Sequence, residues 1–172
     1  MGDIEVLTMA TPIGEVHLAA TDAGLASVSF RDGPRTSGLD GDVVLGGEAV
    51  ERSAAELDGY FRGDRRAFDL PIDWQLVKGF RRAVLQTLTD VPFGETVSYG
   101  ELATMVGNPG AVRAVGSAMA NNPLAIVVPC HRVLASGGRP GGYSAPGGLR
   151  TKQQLLALEG VELRLPQSQT NR

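Results

Sequence analysis

Pro129-Cys130-His131-Arg132-Val133 is the stretch on which the interpretation of this chain depends, because it holds the only cysteine and one of the two histidines. A thiolate is the reactive form of cysteine, and an adjacent base or cation promotes its formation. The apolar residues 124–128 predict a buried segment that delivers Cys130 to a turn. A lone cysteine is most often a small buried hydrophobic residue. The pentapeptide alone therefore leaves both a nucleophile and a core residue open.

Composition narrows the class of protein. With 172 residues, 42% of them hydrophobic and 20% charged, the chain is long enough to bury a core as one domain or two small ones. One cysteine excludes an intramolecular disulfide and a metal site built from several thiolates. Residues 1–5 lack the basic and apolar regions of a signal peptide, and no apolar run approaches the roughly 18 residues that span a bilayer. We expect a soluble, cytoplasmic protein with no membrane partner.

The charge is divided unevenly along the sequence. Residues 78–152 hold eight Lys and Arg against three acidic residues, which gives +5, so the remainder carries −8 within a net charge of −3. A basic half on an acidic protein is typical of a phosphate-binding surface. A chance division with solvated faces is an equally good explanation of charge alone.

The amino-terminal part predicts strands followed by a helix. Residues 4–9 and 15–20 flank a Pro/Gly turn and indicate a hairpin, and residues 25–30 alternate as a third strand. Residues 31–47 are rich in Gly and Asp and predict a loop, and residues 48–61 predict an amphipathic helix. We place a domain boundary near residue 75, after a connector at 70–74. His17, opposite Val16 and Leu18 on its strand, is expected at the surface.

The second part predicts helices. Residues 79–90 carry Phe80, Val84, Leu85 and Leu88 at helical spacing, and residues 149–159 predict a last helix. Ser98 and Glu101 form a capping-box pattern that opens a helix at 99–106. A Gly-containing turn at 107–110 joins it to a helix at 111–121, so a helix-turn-helix or an ordinary helical hairpin is expected.

The predicted helix at 111–121 carries mostly small side chains, and Arg113 is its only charged residue. Small residues suit tight packing between helices. They also suit a helix pressed against the DNA minor groove, which is about 6 Å wide, with one arginine inserted as a wedge. The combination favours DNA modestly. Residues 136–148 hold six glycines and two prolines and predict either a flexible surface loop or the rim of a pocket.

Ordered motifs across residues 78–160 resemble the O6-alkylguanine-DNA alkyltransferases, the methylated-DNA–protein-cysteine methyltransferases. Besides the pentapeptide, the matching segments are Pro92-Phe-Gly-Glu-Thr-Val-Ser-Tyr99, Gly107-Asn-Pro109, Ala111-Val-Arg-Ala-Val-Gly116, Asn121-Asn-Pro123, Gly142-Tyr-Ser144 and Leu155-Leu-Ala-Leu-Glu-Gly160. Residues 1–75 match only in general plan. The resemblance implies an α/β (α+β) fold, with a small ribonuclease H-like antiparallel sheet and helix in residues 1–75. It implies a mostly helical domain with a helix-turn-helix of winged-helix type in residues 76–165 and a frayed tail in residues 166–172.

The resemblance also implies direct-reversal DNA repair. An alkyl group would pass irreversibly from O6 of guanine, or O4 of thymine, in duplex DNA to Cys130 after the base is flipped through the minor groove. His131 would take the thiol proton through a water, and Glu159 would orient and support His131. Tyr99 would donate a proton to the base, and Asn122 would brace the turn before the acceptor. Because a thioether is inert, the protein would act once.

The resemblance assigns two binding surfaces. Arg113 would fill the place of the flipped base while the helix contacts DNA through its small residues, Ala114, Gly116, Ser117 and Ala118. The base would be held and enclosed by backbone groups near Val133 and Ser144, together with Tyr143 and Met119. The partner would be double-stranded DNA with alkylated bases, with no cofactor and no metal. The resemblance suggests a monomer in solution and leaves side-by-side assembly on DNA open.

Two departures and two other function classes bear on this hypothesis. Ala145-Pro146 is an insertion in the family's loop, so the pocket rim is expected to be longer or differently shaped. The chain also lacks the thiols for the structural zinc of some members. A non-catalytic, alkyltransferase-like lesion binder typically has Trp at the cysteine position, so Cys130 argues against it. A thiol hydrolase or redox protein would need an oxyanion hole or a second cysteine.

Overall fold

A four-stranded sheet opens the structure, a computed structural model that describes residues 2–166. Its strands are β1 (Asp3–Thr11), β2 (Gly14–Thr21), β3 (Gly24–Ser29) and β4 (Asp42–Leu45), in the order β3-β2-β1-β4. β1 and β2 form the predicted antiparallel hairpin, and β3 pairs antiparallel to β2. Thr11 closes the hairpin turn by donating from Oγ1 to the carbonyl of Gly14 at 2.6 Å.

The prediction of a loop at residues 31–47 is wrong for residues 42–45, which form β4 and pair parallel to β1. The sheet is therefore mixed rather than purely antiparallel. β4 is a short edge strand whose Leu45 is 93% exposed, so it carries little of the hydrophobic pattern that marks a strand in sequence. Its pairing with residues 3–6 depends on a contact between distant parts of the chain.

Helix α1 (Glu48–Phe61) covers one face of the sheet and forms where the 3.6-residue pattern predicts it. Val50, Leu57 and Tyr60 are fully buried on its inner face. Glu5 of β1 accepts a hydrogen bond from the backbone N–H of Val50 at 3.0 Å, which satisfies a free donor in the first turn of the helix. The helix is thereby fixed to the sheet at its amino end.

The second part contains the predicted helix-turn-helix. Its elements are α2 (Gly79–Leu88), β5 (Val97–Ser98), α3 (Tyr99–Met105), α4 (Val112–Ala120), β6 (Val133–Leu134) and α5 (Leu149–Leu158). The capping box is present, since Ser98 accepts from the N–H of Glu101 at 3.0 Å and Glu101 accepts from the N–H of Ser98 at 3.1 Å. α2 packs against α3 and α4 through Val84, Leu85 and Leu88, whereas Phe80 is 37% exposed at the start of α2.

The two parts share one hydrophobic core. Leu18 and Val28 of the sheet lie in the same buried cluster as Leu85 of α2 and Leu124. Val28 donates to the carbonyl of Pro123 at 2.8 Å, so the edge of the sheet meets the segment that leads to the cysteine. The confirmed α/β (α+β) fold thus joins its two parts beside the candidate site. The proposed boundary near residue 75 stays a prediction, and the predicted tail at 167–172 lies outside the described residues.

No helix in residues 2–166 is long and apolar enough to cross a membrane.

Candidate active site

Cys130 begins a short 3-10 turn, Cys130–Arg132, and is 7% exposed. The segment before it is buried as predicted, with Leu124, Ile126 and Val128 fully inside. Ile126 has a φ of +71°, which is strained for a β-branched residue. Strain of this kind persists only where the surrounding structure imposes it. The packed segment therefore fixes where the thiol lies.

The thiol borders a cavity of about 160 Å³ that opens between the two parts of the fold. Of the residues predicted to enclose a base, Met119, Tyr143 and Ser144 line it. Val133 is not among the lining residues, and its carbonyl accepts from Lys152 Nζ at 2.6 Å. The end of β3 and the following loop supply a wall that the sequence did not predict, consisting of Val28, Ser29, Phe30, Arg31 and Arg35.

A smaller cavity of about 100 Å³ also reaches Cys130 and shares Met119, Tyr143 and Ser144 with the larger one. Tyr99 and Gly116 line the smaller cavity together with Tyr143, so the predicted proton donor borders the acceptor region. The backbone N–H of Gly142 lies 3.5 Å from the Tyr99 hydroxyl, which accepts from it. Gly141 has a φ of +68°, and a Cβ there would lie 2.8 Å from that hydroxyl. Glycine is required here for the loop to pass so close to Tyr99.

Glu159 is the centre of a buried polar network. Its side chain is fully buried and lies 2.7 Å from His131 through Oε2 and Nε2. Arg132 donates from Nε to Oε1 at 2.8 Å and from Nη2 to Oε2 at 3.0 Å. The Tyr60 hydroxyl donates to Oε2 at 2.6 Å, and the N–H of Gly94 donates to Oε1 at 3.1 Å. The carboxylate can only accept from these partners, so His131 carries its proton on Nε2.

Burial changes the pKa values of these groups in different directions. It raises the pKa of the Cys130 thiol, against the hydrogen bond from Asn122 and the charge of Lys152. It lowers the pKa of His131, against the hydrogen bond and charge of Glu159. For Glu159, the hydrogen bonds from His131 and Arg132 outweigh burial and hold its pKa well below the usual range. At neutral pH the site therefore holds a thiol, a neutral imidazole and a carboxylate.

Asn122 links the end of α4 to the acceptor segment. Its side chain donates from Nδ2 to the carbonyl of Val128 at 2.9 Å and accepts at Oδ1 from the N–H of Leu124 at 3.0 Å. These two bonds span the turn that precedes Cys130. The side chain of Asn122 also lines the larger cavity beside the thiol.

Lys152 is a site residue that sequence reasoning missed. It is fully buried, and its ammonium donates to the carbonyls of Val133 and Pro140 at 2.6 Å each and of Gly142 at 3.1 Å. These bonds join the loop after β6 to the start of α5. No sequence pattern indicated this role, because its partners are backbone carbonyls 10, 12 and 19 residues earlier in the chain.

Helix α4 presents only some of the predicted DNA-contacting residues to solvent. Arg113, Ala114 and Ser117 are exposed, and Gly116 is half-buried. Ala118 was expected on this surface, but it is fully buried. The helical period explains the correction, because Ala118 lies three residues after Val115 and shares its inward face.

The Ala145-Pro146 insertion does not lengthen the cavity rim. Ala145 is 2% exposed, and its carbonyl accepts from the N–H of Gly148 at 2.8 Å. Thr151 donates from Oγ1 to the carbonyl of Pro146 at 2.5 Å. The extra residues thus form the turn into α5, and Ser144 is the last residue of the loop that lines the two cavities at Cys130.

Comparison with known proteins matches both parts of the chain. The family described as 6-O-methylguanine DNA methyltransferase matches through its ribonuclease-like domain at residues 6–74 and its DNA binding domain at residues 79–161. The methylated-DNA--protein-cysteine methyltransferase of Mycolicibacterium paratuberculosis is 44% identical over 160 residues, 91% of this chain and 92% of the relative. The human protein of that name is 38% identical over 172 residues, 92% of this chain and 82% of the relative.

The solved structure of Mycobacterium tuberculosis OGT in complex with DNA has a TM-score of 0.77 to this chain, at 36% identity over 91% of this chain and 93% of that one. The chain combines a helix-turn-helix with a buried cysteine and a buried histidine–carboxylate pair. With the sequence matches, this assigns the family: the chain belongs to the methylated-DNA–protein-cysteine methyltransferases.

Proposed function

We propose that this protein repairs alkylated guanine in duplex DNA by transferring the alkyl group from O6 to Cys130. The observation that carries the proposal is the position of the Cys130 thiol, in the wall of two cavities and next in sequence to the buried His131–Glu159 pair. The helix-turn-helix contributes residues from both of its helices to the wall of the smaller cavity. These residues are Tyr99, the first residue of α3, and Met119, near the end of α4. Family membership supports the same activity.

The chemistry is a direct displacement at the alkyl carbon. The sulfur of Cys130 forms a bond to that carbon while the bond from carbon to O6 breaks, and the electron pair of that bond stays on guanine. His131 takes the thiol proton through a water, and Tyr99 donates a proton to the guanine ring. In the balance, the thiol becomes a thioether and the base gains one proton, and the proton that His131 took replaces, through solvent, the one that Tyr99 gave.

The geometry at His131 supports this proton transfer. Nε2 is occupied by Glu159, while Nδ1 is buried with no hydrogen-bond partner among residues 2–166. Nδ1 is therefore the nitrogen free to accept a proton from Cys130 through a water. Glu159 keeps its charge and can stabilise the imidazolium that forms. Because burial raises the thiol pKa, a base has to assist ionisation of Cys130 at neutral pH.

The DNA-facing surface is the exposed side of α4. Arg113 lies at its amino end beside the small residues Ala114 and Ser117, which permit close approach to the minor groove. Arg113 fills the place of the flipped nucleotide and so lowers the cost of extruding the base. Thiol, cavity and recognition helix all belong to one chain, which supports a monomer as the acting unit. The single free cysteine suits the reducing cytoplasm.

Mass analysis of the protein after incubation with O6-methylguanine duplex tests the proposed transfer. One methyl group should appear on the Cys130 peptide, and each protein molecule should repair no more than one lesion, because nothing in the mechanism breaks a thioether. Cys130→Ala should take up no methyl group. Several repairs per molecule, or repair with Cys130 unmodified, contradicts the mechanism. Binding without repair would indicate a lesion-binding protein instead.

Arg113→Ala tests the role assigned to α4. The variant should keep its reaction rate with a free O6-alkylguanine base and lose repair of duplex DNA at least tenfold, since only the duplex substrate requires base flipping. Single-turnover rates on both substrates give the comparison, and Arg164→Ala, an exposed arginine after α5, is the matched control. Equal losses on the two substrates would rule out the wedge.

A further inference from the structure

Tyr60 connects the amino-terminal part of the fold to the acceptor site. It lies near the end of α1 and is fully buried, ninety-nine residues before Glu159 in sequence. Its hydroxyl donates to Oε2 of Glu159 at 2.6 Å. The ring is held by Phe61, Phe68 and Phe93, with centroids 5.3, 5.6 and 6.1 Å away. A ring confined on several sides keeps the hydroxyl directed at the carboxylate.

We propose that Tyr60 is a positioning residue for alkyl transfer. Through this residue, the amino-terminal part of the protein holds the Glu159 carboxylate in the orientation that binds His131. Glu159 Oε2, the oxygen that contacts His131 at 2.7 Å, is the same oxygen that accepts from Tyr60. This role rests on the proposed function, because it matters only where His131 serves as the base for Cys130.

Charge neutralisation of Glu159 does not require Tyr60. Arg132 already supplies the opposite charge through two hydrogen bonds, and Gly94 N–H occupies Oε1. What Tyr60 adds is a short bond to the oxygen that faces His131. A donor at that position restricts the rotation of the carboxylate and withdraws part of its electron density from the bond to Nε2.

Removal of the Tyr60 hydroxyl should change the proton affinity of His131 in a defined direction. With one donor fewer, Oε2 becomes a stronger acceptor for Nε2–H and favours the imidazolium, so the pKa of His131 should rise. The other titratable and charged groups around His131 are Lys152 of α5, Glu159 directly after α5, and Arg132 and Cys130 on its own segment. All of them are retained in Tyr60→Phe, which isolates the hydroxyl.

The test is a pH titration of the histidine side chains by nuclear magnetic resonance in wild type and Tyr60→Phe. The chain has two histidines, so the signals of His131 have to be told apart from those of His17 on β2. The His131 titration should move to higher pH in Tyr60→Phe. An unchanged His131 titration would overturn the positioning role.

Kinetics supply the second measurement. Tyr60→Phe should react with free O6-benzylguanine roughly tenfold more slowly at pH 7, because Glu159 no longer holds His131 in the orientation that takes the thiol proton, and duplex affinity should be unchanged. The acid limb of its pH–rate profile should lie at higher pH, because His131 must be neutral to accept the proton.

Ser53→Ala is the matched control, since it removes another buried hydroxyl of α1, one that donates to the carbonyl of Ala49 within the helix. An equal loss of rate in this control would show a general effect of α1 packing and overturn the proposal. If wild type takes up no alkyl group, the proposed function fails, while the His131 titration still decides whether Tyr60 sets the proton affinity of His131.

Discussion

At the scale of single residues, Glu159 brings together parts of the chain that are distant in sequence. Its two oxygens accept from α1, from the turn after α2 and from the Cys130–Arg132 turn. Burial alone would favour a protonated carboxyl, but these donors reverse that preference. A carboxylate with this many partners is fixed in orientation, which is what a supporting group for His131 requires.

Glu159→Gln should lower the free energy of unfolding by about 3–5 kcal/mol, because Arg132 then keeps a buried charge without a counterion. Urea denaturation at pH 7 measures the loss, and exposed Glu162→Gln is the control, with an expected change below about 0.5 kcal/mol. A loss no larger than the control's would contradict the assigned network.

The same carboxylate predicts an acid dependence of stability. Its pKa in the folded protein is held below the unfolded value of about 4.3, so its contribution is fully present above that value and is lost as pH falls through the folded pKa. Wild type should therefore lose stability on acidification below about pH 4 more steeply than Glu159→Gln. Denaturation curves from pH 7 down to pH 3 give the comparison, and parallel pH profiles would refute the assignment.

At the scale of elements, the features of the fold that depend on neighbours in sequence could be predicted. The features that depend on contacts between distant parts of the chain could not. The capping box at Ser98 and the helical spacing of residues 79–90 depend on neighbours in sequence, and both features formed. β4 was missed because its partner β1 lies about forty residues away. The positions of Cys130 and Tyr99 followed from family motifs, whereas Tyr60 and Lys152 act through contacts that only the folded chain creates.

Lys152→Met should loosen the loop between β6 and α5. Methionine keeps the packing of the side chain but leaves the carbonyls of Val133, Pro140 and Gly142 without their donor. Each carbonyl that stays buried should lower the free energy of unfolding by about 1–3 kcal/mol. We expect faster amide hydrogen exchange at Arg139, Gly141 and Gly142 and slower reaction with a free O6-alkylguanine base. Exposed Arg150→Met on the same helix serves as the control. Unchanged exchange in that loop would show that Lys152 does not anchor it.

At the scale of the whole molecule, the structure revises the charge of the basic half. Two of its eight cations, Arg132 and Lys152, are buried and satisfied by internal partners. Burial lowers the pKa of Lys152 to about 8, which leaves it mostly charged at neutral pH but out of reach of a phosphate. The exposed cations of this half are Lys78, Arg81, Arg82, Arg113, Arg139 and Arg150.

The number of exposed cations sets an upper limit on how steeply DNA binding weakens with salt. The six exposed cations of the basic half, with Arg31 and Arg35 of the cavity wall, can displace at most eight condensed counterions, so the logarithm of the DNA-binding constant should fall with the logarithm of salt at a slope of no more than about 7 in magnitude. Fluorescence anisotropy with a duplex from 50 to 300 mM salt measures the slope. Reaction with a free base should be insensitive to salt over the same range, because no phosphate takes part. A slope near zero on duplex DNA would show that these cations do not form a DNA-binding surface.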